Sequence, residues 1–215
     1  MRYKAAVFDF DGTLVDTREP ILLGLKRAFA TAGRTPPPDP EILRHVGFGL
    51  HEVLVKLVGP MAPEEIERLA ADYRARFDEV APGRTRVFEG MFETLGRLRA
   101  DGVRLGIATN RTRESLEPML VEHGLTEVFD VWLTAGCVPF PKPHPLMLVQ
   151  ALEALGTDER SALMVGDTTV DIRMGRAAGV DTCAVTYGAH TEEELRSEGP
   201  THVVHRAADL PEVVR

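Results

Sequence analysis

The segment Ala5-Ala6-Val7-Phe8-Asp9-Phe10-Asp11-Gly12-Thr13 joins a short apolar run to two carboxylates and a glycine. The apolar run predicts a buried strand of a parallel sheet. Asp9 and Asp11 are two residues apart, so their side chains share one face of an extended chain. Two adjacent carboxylates repel each other unless a cation lies between them, and Mg²⁺ prefers such oxygen ligands. The segment therefore predicts a magnesium site, and an Asx-type turn at Gly12 is the alternative interpretation.

The composition argues against several classes of partner. The chain has 215 residues, 44% hydrophobic and 27% charged, which suits one full-sized domain and a smaller one. Its net charge of −8 argues against nucleic acid, because binding to a phosphate backbone needs clustered Lys and Arg. No apolar run is long enough to span a bilayer, which argues against a membrane partner. Cys137 and Cys183 fit neither a metal-ligand spacing nor a disulfide framework, and no signal-peptide pattern is present, so we expect a cytoplasmic protein.

Hydrophobic periodicity divides the chain into two regions. Residues 16–83 show three stretches with helical spacing, interrupted by a proline-rich connector at 36–40 and a break at 47–49, and we predict no strand there. Residues 84–215 alternate short apolar runs with helical segments, which is typical of a parallel sheet covered on both faces. We therefore predict a doubly wound α/β core from residues 1–15 and 84–215, with a small all-helical domain from residues 16–83.

Polar side chains follow four of the predicted strands. Asp9 and Asp11 follow the first strand, Thr109-Asn110 the second, Lys142 lies beyond the third, and Asp167 follows the fourth. Because ligands of such sheets bind at the carboxyl ends of the strands, we expect these groups to face one crevice.

Two of these groups, and Asp171 shortly after Asp167, have a purely structural alternative. Thr109-Asn110 suits phosphate oxygens but also the N-cap of the next helix. Lys142 lies between two prolines that restrict its backbone, yet it is equally compatible with an exposed loop. Asp171 could support the site, but Thr168-x-x-Asp171 is also a capping-box pattern.

Taken in order, these segments resemble the four motifs of the haloacid dehalogenase-like hydrolases, closest to the branch that contains phosphoglycolate phosphatases. The resemblance implies a Rossmann-like core with a helical cap inserted after the first strand. It implies that Asp9 is the nucleophile, forming an aspartyl-phosphate, and that Asp11 is the acid and base. It further implies that Asp171 supports a Mg²⁺ site formed by Asp9, the Asp11 carbonyl and Asp167, and that the phosphoryl group is held by Gly12, Thr109, Asn110 and Lys142.

The expected function is a phosphatase acting on a small phosphorylated metabolite, with phosphoglycolate as the first candidate. Pyrophosphate remains open, and so does a β-phosphoglucomutase-like reaction, although such mutases tend to carry an acidic residue where this chain has Gly166. A phospho-acceptor signalling module is the alternative from another class. In the predicted cap, Arg44 and His45 are candidates for substrate selection or parts of a surface turn. The sequence gives no indication of oligomeric state.

Overall fold

The computed structural model describes residues 2–215 and contains a six-stranded parallel sheet. The eight strands of the described chain are β1 (Ala5–Phe8), β2 (Val15–Asp16), β3 (Arg86–Val87), β4 (Arg104–Ala108), β5 (Val131–Leu133), β6 (Ala162–Gly166), β7 (Asp181–Val185) and β8 (His202–Val204). The main sheet has the order β5-β4-β1-β6-β7-β8, and all its pairs are parallel. The predicted α/β parallel architecture is confirmed.

Strand β1 lies at the point where the strand order reverses. The chain adds β4 and then β5 on one side of β1, and β6, β7 and β8 on the other. Phe8 is in register with both Ile107 and Val165, so the residues that follow β1, β4 and β6 emerge at one level of the sheet. Ligands of open α/β sheets bind at this switch point, which here lies directly after Phe8.

The two faces of the sheet are buried in separate apolar clusters. Side chains alternate along β1, so Ala6 and Phe8 belong to one cluster while Ala5 and Val7 belong to the other. All four are fully buried, as expected for a central parallel strand covered on both faces. The buried backbone fixes where the chain leaves the sheet and therefore where Asp9 lies.

Four helices follow β2. Their bounds are α1 (Arg18–Thr31), α2 (Asp39–Leu43), α3 (Leu50–Val58) and α4 (Pro63–Val80). Helix α1 packs along α4, and Gly24 of α1 makes room for an aromatic ring, since a Cβ at Gly24 would lie 2.8 Å from Tyr73 Cδ2. We refer to residues 16–83 as the cap. Its status as a separate domain with the boundaries given above stays a prediction.

Six helices complete the core, with the bounds α5 (Met91–Ala100), α6 (Arg113–Glu122), α7 (Leu146–Ala154), α8 (Thr169–Ala177), α9 (Glu192–Ser197) and α10 (Leu210–Val214). Helix α6 begins two residues later than an N-cap at Thr109-Asn110 requires, because Thr112 is its N-cap residue. Among the described residues, no helix is long and apolar enough to cross a bilayer.

A short antiparallel ladder joins the two ends of the cap. Val15 pairs with Val87 and Asp16 with Arg86. The prediction that residues 16–83 contain no strand is therefore wrong at Asp16, the second residue of β2. Strands of two residues are too short to show alternation, so the hydrophobic pattern carried no sign of them.

Candidate active site

Asp9 lies at the carboxyl end of β1 and is 3% exposed. Its Oδ1 atom accepts a hydrogen bond from the Phe10 amide at 2.6 Å and lies 2.8 Å from Lys142 Nζ. Among residues 2–215, none donates a hydrogen bond to Oδ2. That second oxygen is therefore the one available to a metal ion or to an electrophile.

Lys142 is fully buried between two carboxylates, which contradicts the alternative of an exposed loop lysine. Its Nζ atom lies 2.8 Å from Asp9 Oδ1 and donates a hydrogen bond to Asp171 Oδ1 at 2.7 Å. The other oxygen of Asp171 accepts from the Thr168 amide at 3.1 Å and from the Thr168 hydroxyl at 2.6 Å. Asp171 thus closes a capping box at the start of α8 and also fixes Lys142, so its two interpretations hold together.

Asp167 is held by two donors from different parts of the chain. Thr13 Oγ1 donates to its Oδ1 atom at 2.7 Å, and the Ala189 amide donates to Oδ2 at 2.8 Å. Two glycines leave space for this carboxylate, since a Cβ at Gly12 would lie 2.2 Å from Oδ2 and one at Gly188 would lie 2.3 Å from it. Gly12 also has a φ of +76°, which favours glycine.

Substitution of Gly12 by Ala should displace Asp167. The added methyl overlaps Asp167 Oδ2, so we expect a loss of Mg²⁺ affinity together with lower stability. Gly102→Ala is the matched control, because Gly102 also has a positive φ (+82°) but no atom within 4 Å of its Cβ position. The control should lose only the backbone cost of about 1–2 kcal/mol. Thermal melts with and without Mg²⁺ measure both effects, and equal losses in the two variants would contradict the proposed clash.

Burial and the neighbouring charges shift the pKa values of Asp9, Asp167 and Lys142. Burial, and then the charge of Asp171, raise the pKa of Asp9 well above its ordinary value, although Lys142 opposes the shift. Burial and Asp171 also raise the pKa of Asp167 to about 7. For Lys142, burial lowers the pKa, but Asp171 and Asp9 raise it by more, so the ammonium stays charged.

This cluster has the chemistry of a divalent-cation site. Asp9, Asp167 and Asp171 each offer a carboxylate oxygen within 4.8 Å of the others, and all three are buried. With Lys142 as the one ammonium among them, the ionised groups carry a net charge of −2, which one divalent cation neutralises. Asp171 accepts a charged hydrogen bond from Lys142 at one oxygen and two bonds from Thr168 at the other. Each oxygen of Asp167 accepts only one bond from a described residue and Asp9 Oδ2 accepts none, so Asp9 and Asp167 are the carboxylates best placed to bind. Hard oxygen donors of this kind suit Mg²⁺.

Thr109 and Asn110 follow β4 and line the same crevice. The Thr109 hydroxyl accepts a hydrogen bond from the Arg111 amide at 3.2 Å. Asn110 Oδ1 accepts from the Lys142 amide at 3.0 Å, while Asn110 Nδ2 donates to the carbonyls of Gly47 at 2.7 Å and of Lys142 at 3.2 Å. The Asn110 side chain therefore holds the Lys142 loop and contacts the cap in this arrangement.

Asp11 forms an ion pair with Arg111 that no sequence pattern predicted. Arg111 Nε lies 2.7 Å from Asp11 Oδ2 and Arg111 Nη2 lies 2.8 Å from Oδ1, which also accepts from the Thr17 hydroxyl at 2.6 Å. The guanidinium lies over the ring of Phe77 in the cap, 4.5 Å from its centroid. A lone arginine after Asn110 belongs to no spacing pattern, so only the folded chain identifies it.

A cavity of about 410 Å³ lies between the core and the cap. Asp9, Asp11, Thr109, Asn110 and Arg111 form its core side. The cap side is mostly apolar and includes Ile21, Leu25, Val46, Phe48, Leu50, Val53, Tyr73 and Phe77. The charged and titratable cap residues that line the cavity are His51, Glu52, Arg74 and Asp78.

Arg44 and His45, the predicted substrate-selecting residues, do not line this cavity. Arg44 instead forms an exposed ion pair with Glu194 of the core, with Nε 3.0 Å from Oε1. The residues that follow, from Val46 onward, face the cavity. The structure therefore places part of the predicted segment on the cavity wall but not the side chains of Arg44 and His45, and a role in substrate selection stays a prediction.

Comparison with known proteins agrees with this geometry. Residues 6–185 match the family model described as haloacid dehalogenase-like hydrolase. The chain is 37% identical over 213 residues to the probable phosphatase IndB of Dickeya dadantii, covering 95% of this chain and 90% of IndB. It is 32% identical over 214 residues to the pyrophosphatase PpaX of Halalkalibacterium halodurans, covering 100% and 98% of the two chains.

A solved structure from Bacteroides fragilis, assigned to the haloacid dehalogenase-like hydrolases, superposes with a TM-score of 0.91 at 28% identity. The match covers 97% of this chain and 99% of the other, so cap and core are both included. By fold, by sequence and by the groups collected at its strand ends, this chain belongs to the haloacid dehalogenase-like hydrolases.

Proposed function

We propose that this chain is a Mg²⁺-dependent phosphatase that hydrolyses a small phosphomonoester through an aspartyl-phosphate on Asp9, with phosphoglycolate as the first candidate substrate. The observation that carries the proposal is the free Oδ2 atom of Asp9, which lies at a cavity with Lys142 behind it and Asp167 beside it. Phosphate esters repel nucleophiles, so a fixed positive charge at this point lowers the barrier to attack.

In the proposed reaction, Asp9 Oδ2 attacks phosphorus and the bond from phosphorus to the leaving oxygen breaks. Asp11 gives its proton to that oxygen, and it later takes a proton from the water that hydrolyses the aspartyl-phosphate. Lys142 and the Thr109 hydroxyl offset and orient the phosphoryl charge, and Asp171 keeps Lys142 in position. Mg²⁺ held by Asp9, the Asp11 carbonyl and Asp167 would supply charge neutralisation at the phosphoryl oxygens.

Metal binding should show a characteristic pH dependence. The pKa of Asp167 in the metal-free protein is about 7, above its ordinary value, so protonated Asp167 favours the folded state at low pH. This contribution to stability is lost as the pH rises through 7, and protons then compete less with Mg²⁺. We therefore expect Mg²⁺ to raise the melting temperature more at pH 8 than at pH 6. The reference at each pH value is the melting temperature with chelator present. An equal increase above that reference at pH 6 and pH 8 would contradict Asp167 as a Mg²⁺ ligand.

Pyrophosphate is the second candidate substrate, because PpaX, a relative of this chain, is a pyrophosphatase. The cavity argues against it. A phosphate leaving group has no carbon atoms, whereas the cap wall is mostly apolar and its polar side chains are of both charges, Glu52 and Asp78 beside His51 and Arg74. An apolar wall gains free energy only by covering carbon atoms, which supports an organic leaving group.

A sugar-phosphate mutase is disfavoured by Gly166. A Cβ at this position would lie 2.3 Å from Asp171 Cβ and 2.4 Å from Asp171 Cγ. An acidic residue here, as such mutases tend to carry, would push Asp171 away from Lys142. The local packing therefore supports the hydrolase in preference to the mutase.

The deciding experiment measures phosphate release from a panel of phosphorylated metabolites and from pyrophosphate, with and without Mg²⁺. We expect turnover that needs Mg²⁺ and favours monoesters. Preference for pyrophosphate would overturn the substrate class. A phosphoaspartate that persists for minutes without turnover would instead indicate the signalling module. The cytoplasmic location and the lack of a nucleic acid partner stay predictions from the sequence.

A further inference from the structure

Arg111 is the least exposed cation on the cavity wall. Its side chain is only 10% exposed and makes two short hydrogen bonds to Asp11, whose side chain is 15% exposed. The guanidinium also lies between two rings, 4.5 Å from the centroid of Phe77 and 5.8 Å from that of Phe10. Phe77 belongs to the cap and Phe10 to the core, so Arg111 lies where the two meet over the site.

The ion pair with Arg111 conflicts with the proposed role of Asp11 as the acid that protonates the leaving oxygen. Both Asp11 oxygens are engaged, Oδ1 by Thr17 and Arg111 and Oδ2 by Arg111 alone. To reach a leaving-group oxygen, Asp11 must give up at least one of the bonds to Arg111. A guanidinium that is almost enclosed and loses its carboxylate is an unpaired buried charge, which is strongly unfavourable. A second anion supplied by the substrate would remove that cost.

The other cationic groups near the cavity are less suited to bind such an anion. Arg74 is exposed to solvent, and His51 is exposed and bonded to Glu67. Lys142 is enclosed by Asp9 and Asp171 behind the site. Among the described residues that line the cavity, Arg111 is the cation positioned to meet an anion beside Asp11.

Tyr73 provides a second polar group at the same place. Its ring is held against α1, where Gly24 leaves room for it, and its hydroxyl makes no hydrogen bond with any described residue. Burial raises the pKa of Tyr73, so the phenol keeps its proton, and Tyr73 lines the same cavity as Arg111 and Asp11. A protonated phenol that faces a cavity without a partner can donate to a ligand oxygen.

We infer that Arg111 and Tyr73 together recognise a carboxylate on the leaving part of the substrate, which replaces Asp11 on the guanidinium and frees Asp11 for the leaving oxygen. The inference rests on the proposed phosphatase function and narrows its substrate class to phosphate esters of small hydroxy acids. Arg111 is suited to this role because its planar fork matches both oxygens of a carboxylate. The apolar cap residues Ile21 and Val53 would cover the carbon atoms beside the carboxylate.

The test compares two esters of equal size, 2-phosphoglycolate and 2-hydroxyethyl phosphate, which differ in a carboxylate against a neutral CH₂OH group. Arg111→Met should lower the ratio of their kcat/KM values on the order of 10- to 100-fold, mainly through the KM for 2-phosphoglycolate. Arg111→Lys should give an intermediate ratio, because it keeps the charge but not the fork. Tyr73→Phe should shift the ratio in the same direction by a smaller factor.

The control variant is Arg113→Met, because Arg113 is exposed and pairs with Glu117 on the surface of α6. It should leave the ratio at the wild-type value. A fall of equal size for both esters in Arg111→Met would overturn the inference, since Arg111 would then serve the phosphoryl group or the fold. A wild-type ratio near one would overturn it as well.

A binding measurement separates this inference from the proposed function. In the Asp9→Asn background, titration calorimetry with 2-phosphoglycolate needs no turnover, and Arg111→Lys should weaken binding while 2-hydroxyethyl phosphate binds unchanged. Absence of phosphate release from every monoester by the wild type would defeat the phosphatase proposal itself. Normal phosphate release with unchanged binding in Arg111→Lys would defeat only the role of Arg111.

Discussion

Replacing Asp9 by Asn should abolish Mg²⁺-dependent phosphate release, with a loss on the order of 10⁴-fold or more. The reason is that the Asn amide cannot attack phosphorus, whereas the free Oδ2 atom of Asp9 can. The fold should survive, because the change removes a buried charge that lies among Asp167 and Asp171 and leaves the size of the side chain unchanged. Phosphate release and the melting temperature, measured on the same preparation, test both statements.

Asp11→Asn is the matched control for this prediction. It alters a carboxylate two residues away and should slow the chemistry while leaving Mg²⁺ binding largely intact, because the proposed metal ligand at that position is the backbone carbonyl. Turnover at the wild-type rate in Asp9→Asn would refute the nucleophile. Full activity in Asp11→Asn would remove the acid and base role.

Lys142→Met should cost both activity and stability, the latter by about 3–5 kcal/mol in the metal-free protein. Lys142 is fully buried with Asp9 at 2.8 Å and Asp171 at 2.7 Å, so its removal leaves two enclosed carboxylates without a counter-charge. Lys26→Met is the control, since Lys26 pairs with exposed Asp39 and should change stability by no more than about 1 kcal/mol. Urea unfolding with chelator present measures the three free energies.

A second substitution distinguishes lost charge pairing from lost packing. Asp171→Asn added to Lys142→Met removes one of the two stranded charges while keeping the oxygen that accepts from Thr168. Stability should recover in part, whereas phosphate release should stay low because the phosphoryl group still lacks its ammonium. A double variant as unstable as Lys142→Met would show that packing, not charge, holds this residue in place.

The sequence was sufficient for the parts of the site that follow strands. Asp9 comes directly after an apolar run, and Thr109 and Asp167 follow the two strands that flank it. Parallel strands deliver their carboxyl ends to one edge of a sheet, so topology alone brings such residues together. The same reasoning placed Lys142 at this edge because its loop lies beyond β5, but it left an exposed loop lysine open, and only the family resemblance assigned the ammonium a role.

Groups whose positions depend on packing between the cap and the core could not be predicted. Arg111 is identified as a site residue by its contacts with Asp11 and Phe77, which are distant from it in sequence and approach it only in the folded chain. Arg44 was predicted to contact substrate, but its exposed guanidinium pairs with Glu194 instead. Side-chain direction on an irregular segment follows from neighbours that no local pattern specifies.

The amide of Asn110 has a consequence for how the protein could open. It makes three bonds, of which two go to the backbone of Lys142 and only one goes to Gly47 in the cap. If the cap moves away from the core, the one hydrogen bond to Gly47 breaks and the two hydrogen bonds to Lys142 remain. The cap can therefore separate from the core at this point while the Lys142 loop stays attached to Asn110, so the proposed phosphate-binding groups of the core need not be rearranged when the cavity opens.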